Sequence, residues 1–333
     1  MRGSRAGQRA RVTIRVFFHD RCFDGAASAA LFSRFYRERV RADAEFVFSG
    51  LVHRAGALFD EHLFDHAEEN AIVDFKYSTS PRVTWWFDHH QSAFLTPDDA
   101  EHFRHNRDPH KFFFDAEYKS CTKLIADVAG REFGFDAGPV AELVRWADII
   151  DGAQYADARS AVEMKDAAPR LTMIIESSQD FSLMPRLIPL LAVRSLAEVL
   201  EQPFVAPLLR PLLERHEKSI EILRERTECL DGTVFFDVTD QELEGYNKFV
   251  PYYLHPGCTY SVGLSKSSFR TKVSVGSNPW AKVKNMVNLA VICERYGGGG
   301  HARVGAISFA PGQIEQARAA AQEIVAELRG AGG

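Results

Sequence analysis

Residues 83–90 constrain the fold of this chain more than any other segment. The run Val-Thr-Trp-Trp-Phe is followed at once by the triplet Asp88-His89-His90. A β-branched and aromatic run of this length predicts a buried strand. In open α/β sheets, ligands bind at the carboxyl ends of the strands, so the polar triplet is expected beside a ligand. Taken alone, the triplet is explained more simply as three solvated loop residues.

The same arrangement occurs twice earlier in the chain. Residues 12–18 predict a strand followed by His19, Cys22 and Asp24, and residues 71–73 predict a strand followed by Asp74. Strands joined by right-handed crossovers run parallel, so the carboxyl ends of all three would share one edge of a doubly wound sheet. We therefore expect these side chains to converge although they are distant in sequence.

Each residue also has a simpler explanation by itself. Asp24 could cap the helix that begins near Gly25, Asp74 could cap a turn, and His19 could be a hydrogen-bonded core histidine. Capping does not explain why such residues follow three hydrophobic strands. Carboxylates gathered at one edge repel and raise each other's pKa unless a cation neutralises them. The combined pattern therefore predicts a metal site.

The rest of the first half predicts further elements of an α/β domain. A helix over residues 139–150 ends near Asp148 and Asp151, either of which could add a carboxylate to the site or be solvated at the helix end. Residues 96–107 are acidic and histidine-rich without regular spacing and are interpreted as solvated surface. The other expected elements are a strand over 44–48 and helices over 55–68 and 120–128. Residues 164–226 are helical in pattern and interrupted by prolines, which indicates a helical connector.

A second, smaller α/β domain is predicted from residue 232. Its order is strand 233–238, helix 241–254, strands 259–265 and 270–276, helix 283–296, strand 304–309 and helix 314–328. Four consecutive glycines and His301 precede the strand at 304–309. Such glycines let the backbone approach a ligand and expose N–H groups to an anion. Candidate residues for substrate are Gly298, Gly299, Gly300, His301, Arg270 and Asn278, with Trp280 beside them.

Composition excludes several classes of protein. A net charge of −5 argues against a protein that coats long duplex DNA, although a short nucleic-acid strand stays possible as a substrate. The five cysteines are scattered without paired metal-finger spacing, which argues against a disulfide framework and favours a reducing cytoplasm. The basic N-terminal residues are followed by only a short strand-like run, so neither a signal peptide nor a membrane span is predicted.

With these motifs assembled, the chain resembles the DHH phosphoesterase superfamily with its DHHA1 domain, which includes RecJ exonucleases, nanoRNases, exopolyphosphatases and cyclic-dinucleotide phosphodiesterases. The resemblance covers nearly the whole length. It implies a DHH domain over 12–163, the connector over 164–231 and a substrate-binding DHHA1 domain over 232–330. The motifs that carry it are residues 19–25, Val73-Asp74, Asp88-His89-His90, the Asp148/Asp151 segment and residues 297–301.

The resemblance also implies roles for the motif residues. Asp74 would bridge two divalent ions, with Mn²⁺ the usual metal; Asp24, His89 and either Asp148 or Asp151 would complete one site, and His19 would belong to the other. Asp88 would orient its neighbours, and His90 and His301 would act on the scissile phosphate. The chain departs from the family at Cys22, where an aspartate is usual. A coordinating thiolate would shift the preference toward Zn²⁺ or Fe²⁺.

These features favour hydrolysis of phosphodiester bonds in short oligonucleotides or in linear or cyclic dinucleotides. Trp280, Tyr296 and Phe269 are candidates to stack a base. One rival is a phosphoanhydride hydrolase acting on polyphosphate or pyrophosphate. The other is a non-catalytic nucleotide sensor that has lost a metal through Cys22. A homodimer is left open.

Overall fold

The computed structural model describes residues 12–53, 58–60, 62–241, 243, 245–283 and 286–331. They form two compact units. The first comprises the described residues up to Gln154 together with Asp166–Leu209, and the second comprises Tyr155–Lys165 and the described residues from Arg210 onward. The proline-interrupted helices are therefore divided between the two units.

The first unit contains a five-stranded parallel sheet with strand order β2-β1-β3-β4-β5. Its strands are β1 Val12–His19, β2 Ala44–Leu51, β3 Glu69–Val73, β4 Trp85–Asp88 and β5 Phe112–Phe114. The chain moves outward from β1 to β2 and then returns to the other side of β1 with β3. The topological switch point of the sheet therefore lies between β1 and β3, where open α/β sheets bind ligands. The predicted α/β class and parallel sheet are confirmed.

Nine α-helices are described up to residue 226, and several of them begin or end near the predicted bounds. Their bounds are α1 Phe23–Phe35, α2 Pro97–Asn106, α3 Cys121–Phe133, α4 Ala141–Asp151, α5 Ala158–Val162, α6 Ala167–Ser177, α7 Leu183–Leu191, α8 Leu196–Leu200 and α9 Ala206–Arg226. A π-helical turn, Tyr36–Val40, continues α1, and a 3₁₀ turn, Gly138–Val140, precedes α4.

Both faces of the parallel sheet are covered. Helix α1 is buried along almost its whole length and contacts β1, α3, α4 and α7, which is why small alanines occupy so much of it. The opposite face carries an aromatic cluster that includes Phe17, Phe64, Phe75, Tyr77 and Trp86. A sheet buried on both faces explains why its strands are continuously hydrophobic rather than alternating.

One prediction for this unit is incomplete and another is wrong. Residues 96–107 are mostly exposed, as predicted, but Pro97–Asn106 form α2, whose N-cap Thr96 makes a reciprocal capping box with Asp99 and whose Phe103 is buried. The predicted helix at 55–68 is replaced by turns over residues 62–66, and residues 58–60 are not helical either; residues 55–57 and 61 lie outside the described residues. Phe64 and its apolar neighbours pack into the aromatic cluster, which is a tertiary contact that helical periodicity does not report.

The second unit contains a six-stranded sheet with strand order β10-β11-β9-β8-β7-β6. Its strands are β6 Glu228–Leu230, β7 Thr233–Asp237, β8 Tyr260–Lys266, β9 Thr271–Ser277, β10 Gly299–His301 and β11 Val304–Phe309. Only β7 and β8 pair in parallel. The helices are α10 Val250–Leu254, α11 Leu289–Glu294 and α12 Ile314–Ala331.

Helix α12 and the sheet share one apolar core that includes Val262, Val275, Ile307 and Ile324. The helices predicted over 241–254 and 283–296 are shorter than expected in the described residues, where only α10 and α11 are helical. Among the described residues, no helix combines the length and the apolarity needed to cross a bilayer.

Candidate metal centre

The loop after β1 is fixed tightly against the first turn of α1. A Cβ atom on Gly25 would lie only 2.1 Å from the carbonyl oxygen of His19, so glycine is required for this approach. His19 therefore ends β1, and Cys22 and Asp24 follow within one turn of it.

Asp74 ends β3 in an unusual backbone conformation. Its φ is +56°, in the left-handed region that aspartate enters more readily than most residues, and its N–H donates to the carbonyl of Phe87 in β4 at 2.9 Å. Its side chain is only 1% exposed, yet neither carboxylate oxygen has a hydrogen-bond partner among the described residues. A buried carboxylate without donors requires another source of positive charge.

The two histidines after β4 are oriented by neighbouring oxygens. The Nδ1 of His89 lies 3.2 Å from the carbonyl oxygen of Tyr118, and the Nδ1 of His90 lies 2.7 Å from Oδ1 of Asp88. Each Nδ1–H donates to its oxygen, so each ring presents Nε2 as the free nitrogen. This is the usual way in which metal-binding histidines are held. Asp88 also accepts from the backbone N–H of His89 at 2.9 Å.

Asp24 is anchored by the start of α3. One carboxylate oxygen accepts from the N–H of Cys121 at 2.7 Å, and the other accepts from the N–H and hydroxyl of Thr122 at 3.1 and 2.6 Å. Ser28 forms a further hydroxyl contact with Thr122 at 3.0 Å. Residues 120–122 were recognised in the sequence as a helix start, but their contact with Asp24 spans about a hundred residues and had no sequence signal.

The donor atoms converge around Asp74 and His89. Nε2 of His89 lies 3.7 Å from Oδ2 of Asp24, 3.5 Å from Oδ1 of Asp74 and 3.3 Å from Oδ2 of Asp151. Nδ1 of His19 lies 3.6 Å from Oδ2 of Asp74. These separations are long for hydrogen bonds, but they match ligand atoms that each lie about 2.0–2.2 Å from a common ion.

Three overlapping groups have all their ligand atoms within 4.8 Å of one another: His19, Cys22 and Asp74; Asp74, His89 and His90; and Asp24, His89 and Asp151. Asp74 and His89 are shared between groups, which is the arrangement that adjacent ions require. His19 Nδ1 and His89 Nε2 are buried without hydrogen-bond partners among the described residues. The residues present therefore fit a divalent metal.

The electrostatics of this cluster also indicate a cation. Burial, together with the charges of Asp74 and Asp151, raises the pKa of Asp24, and burial beside Asp74 raises the pKa of Asp151 to about 6. Burial lowers the pKa of His89, but Asp74 and the other carboxylates outweigh it and raise that pKa to about 10. Without a metal, the ring of His89 is therefore protonated and positively charged, and it lies among carboxylates. Metal binding would displace that proton.

The two aspartates at the end of α4 have different environments. Asp151 belongs to the cluster, whereas the carboxylate of Asp148 accepts a hydrogen bond from the hydroxyl of Ser120 at 3.1 Å. Of the two alternatives that the sequence left open, the structure brings Asp151 to His89 and gives Asp148 a contact at the N-cap of α3.

Cys22 lies in the cluster but does not cap α1 with its side chain. Burial and then the charges of Asp74, Asp24 and Asp151 raise the pKa of its thiol well above the usual value. Without a metal the thiol is neutral, so coordination would require an ion to displace its proton.

No family model and no curated protein matches the chain by sequence. Solved structures do match it. The pGpG-specific phosphodiesterase PggH of Vibrio cholerae superposes with a TM-score of 0.67 at 20% identity, over 96% of this chain and 100% of that one. An exopolyphosphatase-related protein from Bacteroides fragilis gives 0.59 at 13% identity, over 98% and 94%. RecJ of Thermus thermophilus in complex with Mn²⁺ gives 0.52 at 15% identity, over 95% and 52%.

A DHH domain protein also matches, with a TM-score of 0.56 at 14% identity over 95% of this chain and 87% of that one. The chain shares the fold of these structures, one of which is a DHH domain. Within this DHH fold, the parallel sheet presents the converging aspartates and histidines at its switch point.

The substrate residues predicted in the second unit differ in their exposure to solvent. Arg270 is part-exposed and donates to the hydroxyl of Ser308 at 3.2 Å, and His301 is exposed on β10. Asn278 is buried, and its amide donates to the carbonyls of Pro256 and Cys258 at 3.2 and 2.8 Å. Both of its amide donors therefore stabilise a loop, and a contact of Asn278 with substrate stays a prediction.

Packing and backbone hydrogen bonds explain part of the glycine run at residues 297–300. The N–H groups of Gly297 and Gly298 donate to the carbonyls of Glu294 and Cys293, where they end α11. A Cβ on Gly298 would lie 2.3 Å from the carbonyl oxygen of Ala306, and one on Gly300 would lie 2.2 Å from that of Val304. The N–H of Gly298 is therefore already used within the chain, and a contact of Gly298 with substrate stays a prediction. Gly299 and Gly300 lie on β10, the edge strand of the described sheet.

Proposed function

We propose that this chain is a metal-dependent phosphoesterase that hydrolyses phosphodiester bonds in short oligonucleotides or in linear or cyclic dinucleotides. The observation that carries the proposal is the group of buried ligand atoms without hydrogen-bond partners on His19, Asp74 and His89, located at the switch point of a DHH fold. Such atoms are costly to bury unless a cation satisfies them.

The proposal assigns two divalent ions to the overlapping groups. Asp74 would serve both ions, His19 and Cys22 would be ligands of one, and Asp24, His89 and Asp151 would be ligands of the other. Carboxylates and imidazoles suit Mn²⁺, and a thiolate from Cys22 would favour Zn²⁺ or Fe²⁺. When bound, paired ions supply an activated water and neutralise charge on the phosphoryl group.

His90 is the residue of this cluster best placed to meet a substrate. Its side chain is 34% exposed, whereas those of Asp74 and Asp88 are fully buried. Burial lowers its pKa, but the hydrogen bond and charge of Asp88 outweigh this and raise it. Protonated His90 would donate through Nε2 to a phosphate oxygen. Asp88 positions that ring and does not contact the substrate.

The similarity to a pGpG-specific phosphodiesterase and to RecJ supports a nucleotide substrate, whereas the similarity to an exopolyphosphatase-related protein supports a phosphoanhydride as the second candidate. The sensor alternative is less well supported, because the described cluster retains Asp24, Asp74, His89 and His90. Arg270 and His301 remain proposed phosphate contacts, together with the N–H groups of Gly299 and Gly300.

A direct comparison of substrates tests the proposed function. Purified protein with Mn²⁺ should hydrolyse linear dinucleotides such as pGpG or pApA at least about tenfold more efficiently, by kcat/KM, than tripolyphosphate, and chelation should stop both reactions. A tenfold difference corresponds to about 1.4 kcal/mol in transition-state stabilisation. Preference for tripolyphosphate would select the phosphoanhydride candidate. Tight dinucleotide binding without turnover under any divalent ion would select the sensor.

A further inference from the structure

The second half of the chain contains a long segment without acidic residues. The 49 residues between Glu244 and Glu294 include six lysines or arginines and no aspartate or glutamate, although the whole chain has a net charge of −5. Three of these cations, Lys266, Arg270 and Lys272, lie in or beside the hairpin that joins β8 to β9. This concentration of positive charge favours an anionic partner for the hairpin.

The tip of this hairpin is stabilised by its own hydrogen bonds. The N–H of Ser267 donates to the carbonyl of Arg270 at 2.8 Å, and the hydroxyl of Ser267 donates to the same oxygen at 3.3 Å. Between them, the side chain of Phe269 is 69% exposed and contacts no other aromatic ring among the described residues. The guanidinium carbon of Arg270 lies 5.2 Å from the centroid of the Phe269 ring, which is a cation–π contact. The hairpin therefore presents an exposed ring with a cation beside it.

Arg270 and Lys272 also lie together on one face of the sheet. Nη1 of Arg270 donates to the hydroxyl of Ser308 at 3.2 Å, and Lys272 is the direct cross-strand partner of Ser308 in the ladder of β9 and β11. Val273 and Ile307, the next pair of this ladder, belong to the apolar core, so Lys272 and Ser308 lie on the opposite face. Burial and the charge of Arg270 lower the pKa of Lys272. In the described part of the chain neither cation pairs with a carboxylate, so their mutual repulsion is not neutralised.

We propose that this surface, formed by Phe269, Arg270 and Lys272, binds a single-stranded nucleic acid without regard to its sequence. A base stacks on the ring of Phe269, and Arg270 and Lys272 bond phosphates of the same strand. Every base has a π face, so a single aromatic ring accepts any of them. The inference goes beyond the proposed function, because it concerns the binding of a strand and not its hydrolysis.

A lipid surface is the other partner that attracts exposed aromatic and basic side chains. Stable attachment to a membrane requires a larger buried apolar area than one ring supplies. Beside the hairpin, the face that carries Lys272 continues with Ser274, Ala306 and Ser308, two of which are polar. One ring next to two cations fits the alternation of bases and phosphates along a single strand better.

The test measures strand binding by fluorescence anisotropy on the full chain, with metal removed by a chelator so that no strand is hydrolysed. A thymidine strand of about ten nucleotides is compared with an abasic strand of equal length. Wild-type protein should bind the thymidine strand at least about fivefold more tightly, because stacking on an aromatic side chain corresponds to about 5- to 150-fold in affinity. Phe269→Ala should abolish this preference, and Phe269→Trp should retain it. Leu230→Ala truncates another exposed apolar side chain of the second unit and, as the matched control, should leave the preference unchanged.

The dependence of binding on salt tests the two cations. Arg270→Gln and Lys272→Gln should each weaken the binding of both strands and reduce the slope of log Kd against log salt by about 0.7, the value for one phosphate contact on a single strand. Arg226→Gln is the matched control, because the Arg226 guanidinium already pairs with Asp240 at 2.8 Å. It should leave the slope unchanged.

Several results would overturn the inference. They are failure of the wild-type chain to bind either strand, a preference for the thymidine strand that persists in Phe269→Ala, and equal affinity of the wild-type chain for the two strands. Binding of phosphatidylserine vesicles in preference to the thymidine strand would overturn it in favour of a membrane surface. None of these results bears on hydrolysis. A chain that binds the strand but hydrolyses no phosphodiester with Mn²⁺ would overturn the proposed function alone.

Discussion

Replacing Asp74 by asparagine is expected to reduce phosphodiester hydrolysis by at least about a thousandfold while the protein remains folded. One carboxylate that serves two ions cannot be replaced by a neutral amide without weakening both, and metal ions contribute several kcal/mol to stabilising transition-state charge at about 1.4 kcal/mol per tenfold. Asparagine also adopts positive φ readily, so the backbone at the end of β3 is preserved. The measurement is kcat/KM at saturating Mn²⁺, with circular dichroism and Tm as checks on folding.

Asp99→Asn is the matched control for this change. Asp99 accepts from the backbone N–H of Thr96 at 3.0 Å in the capping box of α2, outside the metal cluster. Its substitution should cost about 1 kcal/mol of stability and leave turnover unchanged. Near-normal turnover in Asp74→Asn at saturating metal would mean that the reaction takes place elsewhere.

The two aspartates of α4 are expected to differ sharply when each is changed to asparagine. Asp151→Asn should raise the Mn²⁺ concentration for half-maximal activity at least about tenfold, because it removes a charged oxygen 3.3 Å from Nε2 of His89. Asp148→Asn should keep this concentration within about threefold of wild type, because Asp148 contacts Ser120 and lies outside the cluster. A metal titration of activity in both variants provides the measurement.

This pair is its own control, since both residues lie on one helix and the chemical change is identical. Equal losses in the two variants would show only a general effect of charge at this helix end. A larger loss in Asp148→Asn would transfer the ligand role to Asp148.

The sequence predicts most of the sheet and the chemistry of its edge. Residues 85–88 form a strand because a long apolar run has few other stable environments, and His19, Asp74 and Asp88 lie at or directly after strand ends in a parallel sheet. The choice between Asp148 and Asp151 could not be made from spacing. The two lie three residues apart on the same side of a helix, and only the packing of α4 decides which reaches His89.

Other parts of the structure depend on long-range contacts that a linear pattern does not contain. The anchoring of Asp24 by Thr122 and the use of Asn278 to hold Cys258 join segments distant in sequence. Residues 96–107 did carry a usable signal, namely Thr96, Pro97 and Asp99 at a helix start, which lack of apolar periodicity concealed. The glycine run was predicted to bind an anion, although two of its glycines are required by the packing of β10 against β11.

The most direct test of the metal centre is the number of ions bound by the full chain. After removal of metal by a chelator, calorimetric titration with Mn²⁺ should show two ions per wild-type chain, and Asp74→Asn should bind both at least about tenfold more weakly. Titration that detects no Mn²⁺ binding to the wild-type chain, or binding that is unchanged in Asp74→Asn, would contradict the assignment of the His19, Asp24, Asp74, His89 and Asp151 cluster as the metal centre.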